Sequence, residues 1–229
     1  MGPLHLVRAV VRFGSASFVQ SSALGIVLVA ARIVWTGSAA YGFLVWNLFL
    51  AWVPWGCALA LRELHRRRVR IALLVPLFVL WLGFLPNAPY LVTDFIHLQH
   101  RGRAPLWFDA VMLASYAWAG VGLGVASLRM CSGVVRARGG RCAAAAFVVG
   151  SGLATGFGIY LGRFVRLNTW DVATRPLTVV ELSLLPLIDP LAHPRAWGVT
   201  LTFALFFLAA YGIGRRARCA ETCPRSSSL

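Results

Sequence analysis

Lysine is absent from this chain, acidic residues number only seven in 229, and no polar stretch is long enough to build a second core. Charged residues make up 13%, where a soluble domain would carry about a quarter. That shortfall excludes an ordinary water-soluble globule. With so few acids, the 22 arginines leave a formal charge of +15. Nucleic-acid binding is the tempting explanation, but the densest basic cluster, Arg62 to Arg70, lies between two apolar runs with no basic domain around it, so no nucleic-acid partner is expected. The five cysteines (Cys57, Cys131, Cys142, Cys219 and Cys223) fall in stretches assigned below to a reducing compartment, which argues against a disulfide framework. Cys219 and Cys223 lack a nearby histidine or a second pair to complete four ligands, so no metal site is assigned. No internal repeat is visible.

What is present is hydrophobic. Such residues make up 59% of the chain and come in runs near the roughly 20 needed to cross hydrocarbon as a helix. Six spans fit, at about 13–31, 39–61, 71–92, 105–128, 143–164 and 196–214. The fold class is therefore all-α, a polytopic membrane helix bundle, with residues 1–214 as one transmembrane domain. Residues 215–229, ending Pro-Arg-Ser-Ser-Ser-Leu, read as a basic, disordered cytoplasmic tail. The first span is the weakest, and a signal peptide is its rival. No small-x-small cleavage site follows it, and apolar character continues through Ile33-Val34-Trp35, which favours a retained helix.

Arginine placement orients the spans. With the N-terminus inside, 15 arginines lie on the inner side and seven on the outer, which supports two cytoplasmic termini. Acids distribute the other way: Asp94, Asp109, Asp171, Glu181 and Asp189 are outer, as are His97, His100 and His193.

Two outer stretches concentrate functional side chains. The first is Leu85-Pro-Asn-Ala-Pro-Tyr-Leu-Val-Thr-Asp-Phe-Ile-His-Leu98. Pro86 and Pro89 remove two backbone donors and disfavour helix at Leu85 and Ala88, so the third span should break near the outer interface. If Asn87 caps a short helix, Tyr90, Asp94 and His97 recur at i, i+4 and i+7 on one face. Asp94 and His97 then stand one turn apart, a spacing that can hold a metal or couple a carboxylate to an imidazole. An interfacial helix whose polar side meets water explains the same pattern. The second stretch runs from Gly158 to Asp171. Gly152, Gly156, Gly158 and Gly162 form small-xxx-small pairs suited to close helix packing. Arg163 and Arg166 follow one turn apart, then Asn168, Trp170 and Asp171. Arg163 at membrane depth needs a partner, for which Asp94, Asp109 and Asp171 are candidates. Asn47 is the one strong amide donor of the second span, expected to bond a neighbouring helix. Pro176 to His193 is too short and proline-broken to span twice, and fits a segment lying on the outer surface.

Phe84 to Leu98, Trp107-Phe-Asp109 and Gly156 to Asp171 together resemble the bacterial membrane proteins of the domain of unknown function 1361 family. The resemblance runs from the third span to the sixth and implies a multi-pass membrane protein. It brings no activity, substrate or cofactor with it.

The working expectation is a polar pocket at the extracytoplasmic interface, lined or buttressed by Asn87, Tyr90, Asp94, His97, Asp109, Arg163, Arg166, Asn168 and Asp171. The paired donors of two guanidiniums suit an anionic group such as a phosphate or carboxylate, and the location suits a lipid-like headgroup. This describes a binding or accessory protein of the bacterial cytoplasmic membrane, with the lipid bilayer as its partner. The alternative is an intramembrane enzyme on a lipid-linked substrate, with Asp94 or His97 as acid or base. A transporter ranks lowest, because the inner halves are nearly bare of acids. No motif specifies a cofactor or an oligomeric state.

Overall fold

The computed structural model describes residues 15–98, 104–167 and 171–222, and every regular element among them is helical. In chain order these are α1 (Ser15–Thr36), α2 (Phe43–Arg66), α3 (Ile71–Phe84), the single turn α4 (Asn87–Tyr90) and a 3-10 segment (Leu91–His97). Then come α5 (Leu106–Tyr160), a π turn (Leu161–Val165), α6 (Asp171–Thr174), α7 (Pro176–Ile188) and α8 (Pro194–Thr222). Five helical stretches are long and apolar enough to cross a membrane. One of them, Ile71–His97, joins α3, α4 and the 3-10 segment; another, Leu106–Val165, is 60 residues long. Sixty helical residues would measure roughly 90 Å, three times the hydrocarbon thickness. The element is not one rod, because Gly140 sits at φ 80, ψ −172, outside the helical region. A residue without Cβ takes that conformation readily. The fourth and fifth expected spans fall on either side of it. Helix α7, at 13 residues or about 20 Å, is too short to cross.

The chain divides into two compact units, Met1–Met130 and Cys131–Leu229. In the first unit, α2 turns Leu44, Leu48, Ala51 and Trp55 inward at alternating four- and three-residue spacing, the period of a buried helical seam. Met112, Leu113, Tyr116, Ala119 and Leu123 of α5 complete this core with Val29 of α1 and Leu91. Helix α1, the one with a signal-peptide rival, is packed into the unit. A Cβ at Gly25 would lie 2.8 Å from the Tyr116 ring, and Trp52 Nε1 donates to Ser22 Oγ at 3.3 Å. The opposite faces stay apolar and exposed, as at Trp46, Phe49, Leu73 and Val79. Water would penalise such a surface; lipid tails do not.

In the second unit, Gly152 and Gly156 receive α8. A Cβ at Gly156 would collide with the Thr200 carbonyl, and one at Gly152 would press on Leu208. Close packing by small residues is the expected use of that pattern. Helix α8 continues beyond the apolar run, which ends near 214, as far as Thr222. Alanine and arginine in 215–220 are good helix formers and extend it. The tail's last residues, 223–229, lie outside the described residues, as do Asn168, Trp170 and His100.

Candidate functional site

The twice-proline segment bends its hydrogen bonding without unwinding. Leu85 (φ −54, ψ −40), Pro86 (φ −58, ψ −29) and Leu91 (φ −56, ψ −23) all keep right-handed helical dihedrals. What changes is the ladder. Ala88 N–H donates to Leu85 O at 3.1 Å and Tyr90 N–H to Pro86 O at 3.0 Å. Asn87 Nδ2 donates to the Phe84 carbonyl at 3.1 Å. Asn87 was expected to cap the start of the short helix; Pro86 holds that place, and the asparagine instead supplies a donor to the end of α3. An orphaned carbonyl at membrane depth costs several kcal/mol by order of magnitude, so a side-chain donor is what lets the prolines sit there. The segment is held close to α5 at Gly120, where any Cβ would collide with the Ala88 carbonyl.

The 3-10 geometry of Leu91–His97 resets the register. In a 3-10 helix, residues three apart eclipse, so Leu91, Asp94 and His97 share one edge. The expected α-helical set of Tyr90, Asp94 and His97 is thereby replaced. Leu91 and Asp94 are both wholly buried, while Tyr90 is half-buried. Asn47 Nδ2 of α2 donates to Asp94 Oδ2 at 3.2 Å, the interhelical role expected of that amide. Tyr41 Oη donates to the His97 carbonyl at 2.7 Å, and the Phe43 ring meets the imidazole edge-on at 5.1 Å.

Asp109, at the start of α5, belongs to an ion pair with Arg32 of α1. Arg32 Nε donates to Oδ1 at 2.7 Å and Nη2 to Oδ2 at 3.1 Å, with both side chains almost fully buried. The Arg32 guanidinium also lies over the Tyr41 ring, 4.4 Å from its centroid. A continuous chain of contacts therefore runs Asp109–Arg32–Tyr41–His97. Two-point pairing and the aromatic face together satisfy a charge that lipid would otherwise penalise. Asp109 was one of the counter-ions considered for Arg163; Arg32 takes it.

In the second unit the end of α5 widens into the π turn. Leu167 N–H reaches back to Leu161 O at 3.1 Å, and Arg166 closes the turn in the left-handed region at φ 64, ψ 32. Few residues other than glycine sit there, and π turns within α-helices concentrate at functional sites. Arg163 is half-buried and Arg166 exposed. Between them Phe164 stacks on Tyr160, with centroids 6.1 Å apart, and carries the Arg195 guanidinium 4.6 Å from its own centroid. Asp171 opens α6, and its carbonyl accepts Arg175 N–H at 2.7 Å. His193 Nδ1 lies 3.0 Å from the main-chain oxygen of Asp189, while the Asp189 carboxylate accepts Ala192 N–H.

The structure thus gathers Asn47, Asp94 and His97 in the first unit, beside the Arg32–Asp109 pair; in the second it places Arg163 and Arg166 at the π turn and Arg195 over Phe164. Arg32, Tyr41 and Arg195 were not among the expected site residues. Arg195 left a signal: a cation in the first turn of a helix opposes the helix dipole, so something else must hold it. Arg32 left a weaker one, a single charge ending an otherwise apolar span. Among the described residues, no group of three metal-ligating side chains forms.

No curated protein and no solved structure matches the chain. The family model described as "Protein of unknown function (DUF1361)" matches residues 46–210, which include every expected site residue but neither Arg32 nor Tyr41. With well over half its length matched, this all-α membrane protein belongs to the DUF1361 family.

Proposed function

We propose that this protein sits in a bacterial cytoplasmic membrane with both termini inside, and binds an anionic, lipid-like headgroup at the outer interface. Arg163 and Arg166 make the primary contacts. Arg195, presented on Phe164, adds a third guanidinium. Asp171, which opens α6 in the same unit, buttresses this region, while Asn87, Tyr90, Asp94 and His97 belong to the first unit and are not assigned to it, and Asn168 lies outside the described residues. Asp109 serves as scaffold, because its carboxylate is committed to Arg32.

One observation carries the reading: the helix bearing both arginines leaves regular α geometry at the π turn and ends on a left-handed arginine. Such a departure costs about 1–3 kcal/mol and persists where the surroundings impose it. A phosphate or carboxylate is the acceptor that paired guanidinium donors fit. Binding is favoured over catalysis by the condition of Asp94, which is wholly buried and already accepts from an amide.

Native mass spectrometry of the full chain released from membranes tests this. The expected result is a retained anionic lipid or lipid-linked molecule, weakened about tenfold or more in Arg163→Gln and in Arg166→Gln, from the usual worth of a charge-assisted hydrogen bond. Retention unchanged in both variants, with the protein intact, defeats the proposal.

A further inference from the structure

A second basic feature lies in the first unit, at the turn joining α2 to α3. Arg62, Arg66, Arg67, Arg68 and Arg70 fall within nine residues, and Glu63 is the sole acid in the first 93 positions of the chain. Glu63 is already engaged, accepting from Arg67 Nε at 2.8 Å one helical turn away. Arg66, Arg67, Arg68 and Arg70 are exposed, and Arg62 is half-buried.

The backbone shows how they are displayed. Arg68 N–H donates to His65 O at 3.0 Å and Val69 N–H to Leu64 O at 3.1 Å. This pair of bonds closes a helix whose next residue is left-handed, a place usually given to glycine. Here Arg68 fills it, at φ 56. The dipole at the end of α2 favours cations in its last turn, but that effect fades within a turn and does not account for Arg68 and Arg70 beyond it. Helix α2 and the Ile71–His97 stretch that α3 begins are each long and apolar enough to cross a membrane, so the turn emerges at headgroup level on one face.

We propose that this five-arginine turn is a binding site for the phosphate headgroups of anionic phospholipids in the leaflet it abuts. The charge balance is the warrant: four exposed guanidiniums, one acid that is already paired, and a supply of phosphodiesters at the same depth. Guanidinium forks match phosphate oxygens in pairs, and each arginine near an anionic surface contributes on the order of fivefold in partition. The site is separate from the Arg163–Arg166 region and does not depend on it.

The test uses the full chain in nanodiscs of phosphatidylcholine doped with phosphatidylglycerol, read by native mass spectrometry. Phosphatidylglycerol should be retained in preference to phosphatidylcholine. Retention should fall about tenfold or more in Arg66→Gln/Arg70→Gln, persist largely in Arg66→Lys/Arg70→Lys, and weaken from 0.1 to 1 M salt as the screening length shrinks from about 10 to about 3 Å. Should the glutamine variant misinsert, a photoreactive phosphatidylglycerol on the wild-type chain should cross-link to residues 62–70. Equal retention of both lipids, cross-links confined elsewhere, or displacement by millimolar inorganic phosphate alone would each overturn the assignment. Cross-links of the photoreactive phosphatidylglycerol to residues 62–70 should persist in Arg163→Gln and be lost in Arg66→Gln/Arg70→Gln, which separates this site from the outer one.

Discussion

The Arg32–Asp109 pair invites the sharpest quantitative test, because its partners lie 77 residues apart and both are buried. Removing one partner from a buried ion pair leaves an uncompensated charge and costs about 3–5 kcal/mol. A neutral interhelical hydrogen bond in a membrane averages about 0.6 kcal/mol, with a maximum near 1.7. The two estimates do not overlap, so one experiment separates them. Arg32→Met and Asp109→Leu should each lower stability by about 3 kcal/mol or more. The double variant should recover most of that loss, since two apolar side chains of similar length leave no buried charge and lipid does not penalise them. Equilibrium unfolding in mixed micelles, followed through the nine tryptophans, measures all four corners of the cycle. A coupling energy below about 1 kcal/mol, or a double variant no better than the worse single, would refute the claim that charge compensation ties α1 to α5. The same argument makes α1 a structural partner: a chain lacking residues 1–38 should lose stability about as severely as Arg32→Met.

Three further outcomes follow from local geometry. Gly120→Val should displace the 85–98 segment through collision with the Ala88 carbonyl and cost about 1–3 kcal/mol, whereas Gly56→Ala, with none of the described residues within 4 Å of the new Cβ, should be neutral or gain about 0.5–1; thermal unfolding in detergent compares them. Asn47→Leu removes the amide that donates to wholly buried Asp94 and should destabilise by about 1–3 kcal/mol, with Asn47→Gln recovering part of the loss in the same assay. Tyr116→Phe should be neutral or stabilising by about 1 kcal/mol, because the hydroxyl it deletes is buried with no hydrogen-bond partner among the described residues while the ring that packs on Gly25 is kept.

Hydrophobic run length and proline position are local properties, and they sufficed to read an all-α membrane protein and a 176–193 segment too short to cross; the break expected at Pro86 and Pro89 is a change of hydrogen-bond partner within a chain that keeps helical dihedrals. Asn47 was legible as a cross-helix donor because an amide in an apolar span has few other uses. Bonding between spans was not legible. Arg32 looked like a charge ending a span and Asp109 like a pocket residue or a counter-ion for Arg163, and their union depends on α1 packing beside α5 through Gly25 and Gly122, a contact that no window of sequence contains. The change to 3-10 winding that aligns Leu91, Asp94 and His97, and the π turn that ends on a left-handed Arg166, were also hidden. Each differs from an α-helix by one step in hydrogen-bond partner, an energy small enough for neighbouring helices to decide. Run length told which stretches can cross lipid, because it is a property of each stretch alone; the packing of helices told which buried charges answer one another, because that depends on residues far apart in the chain.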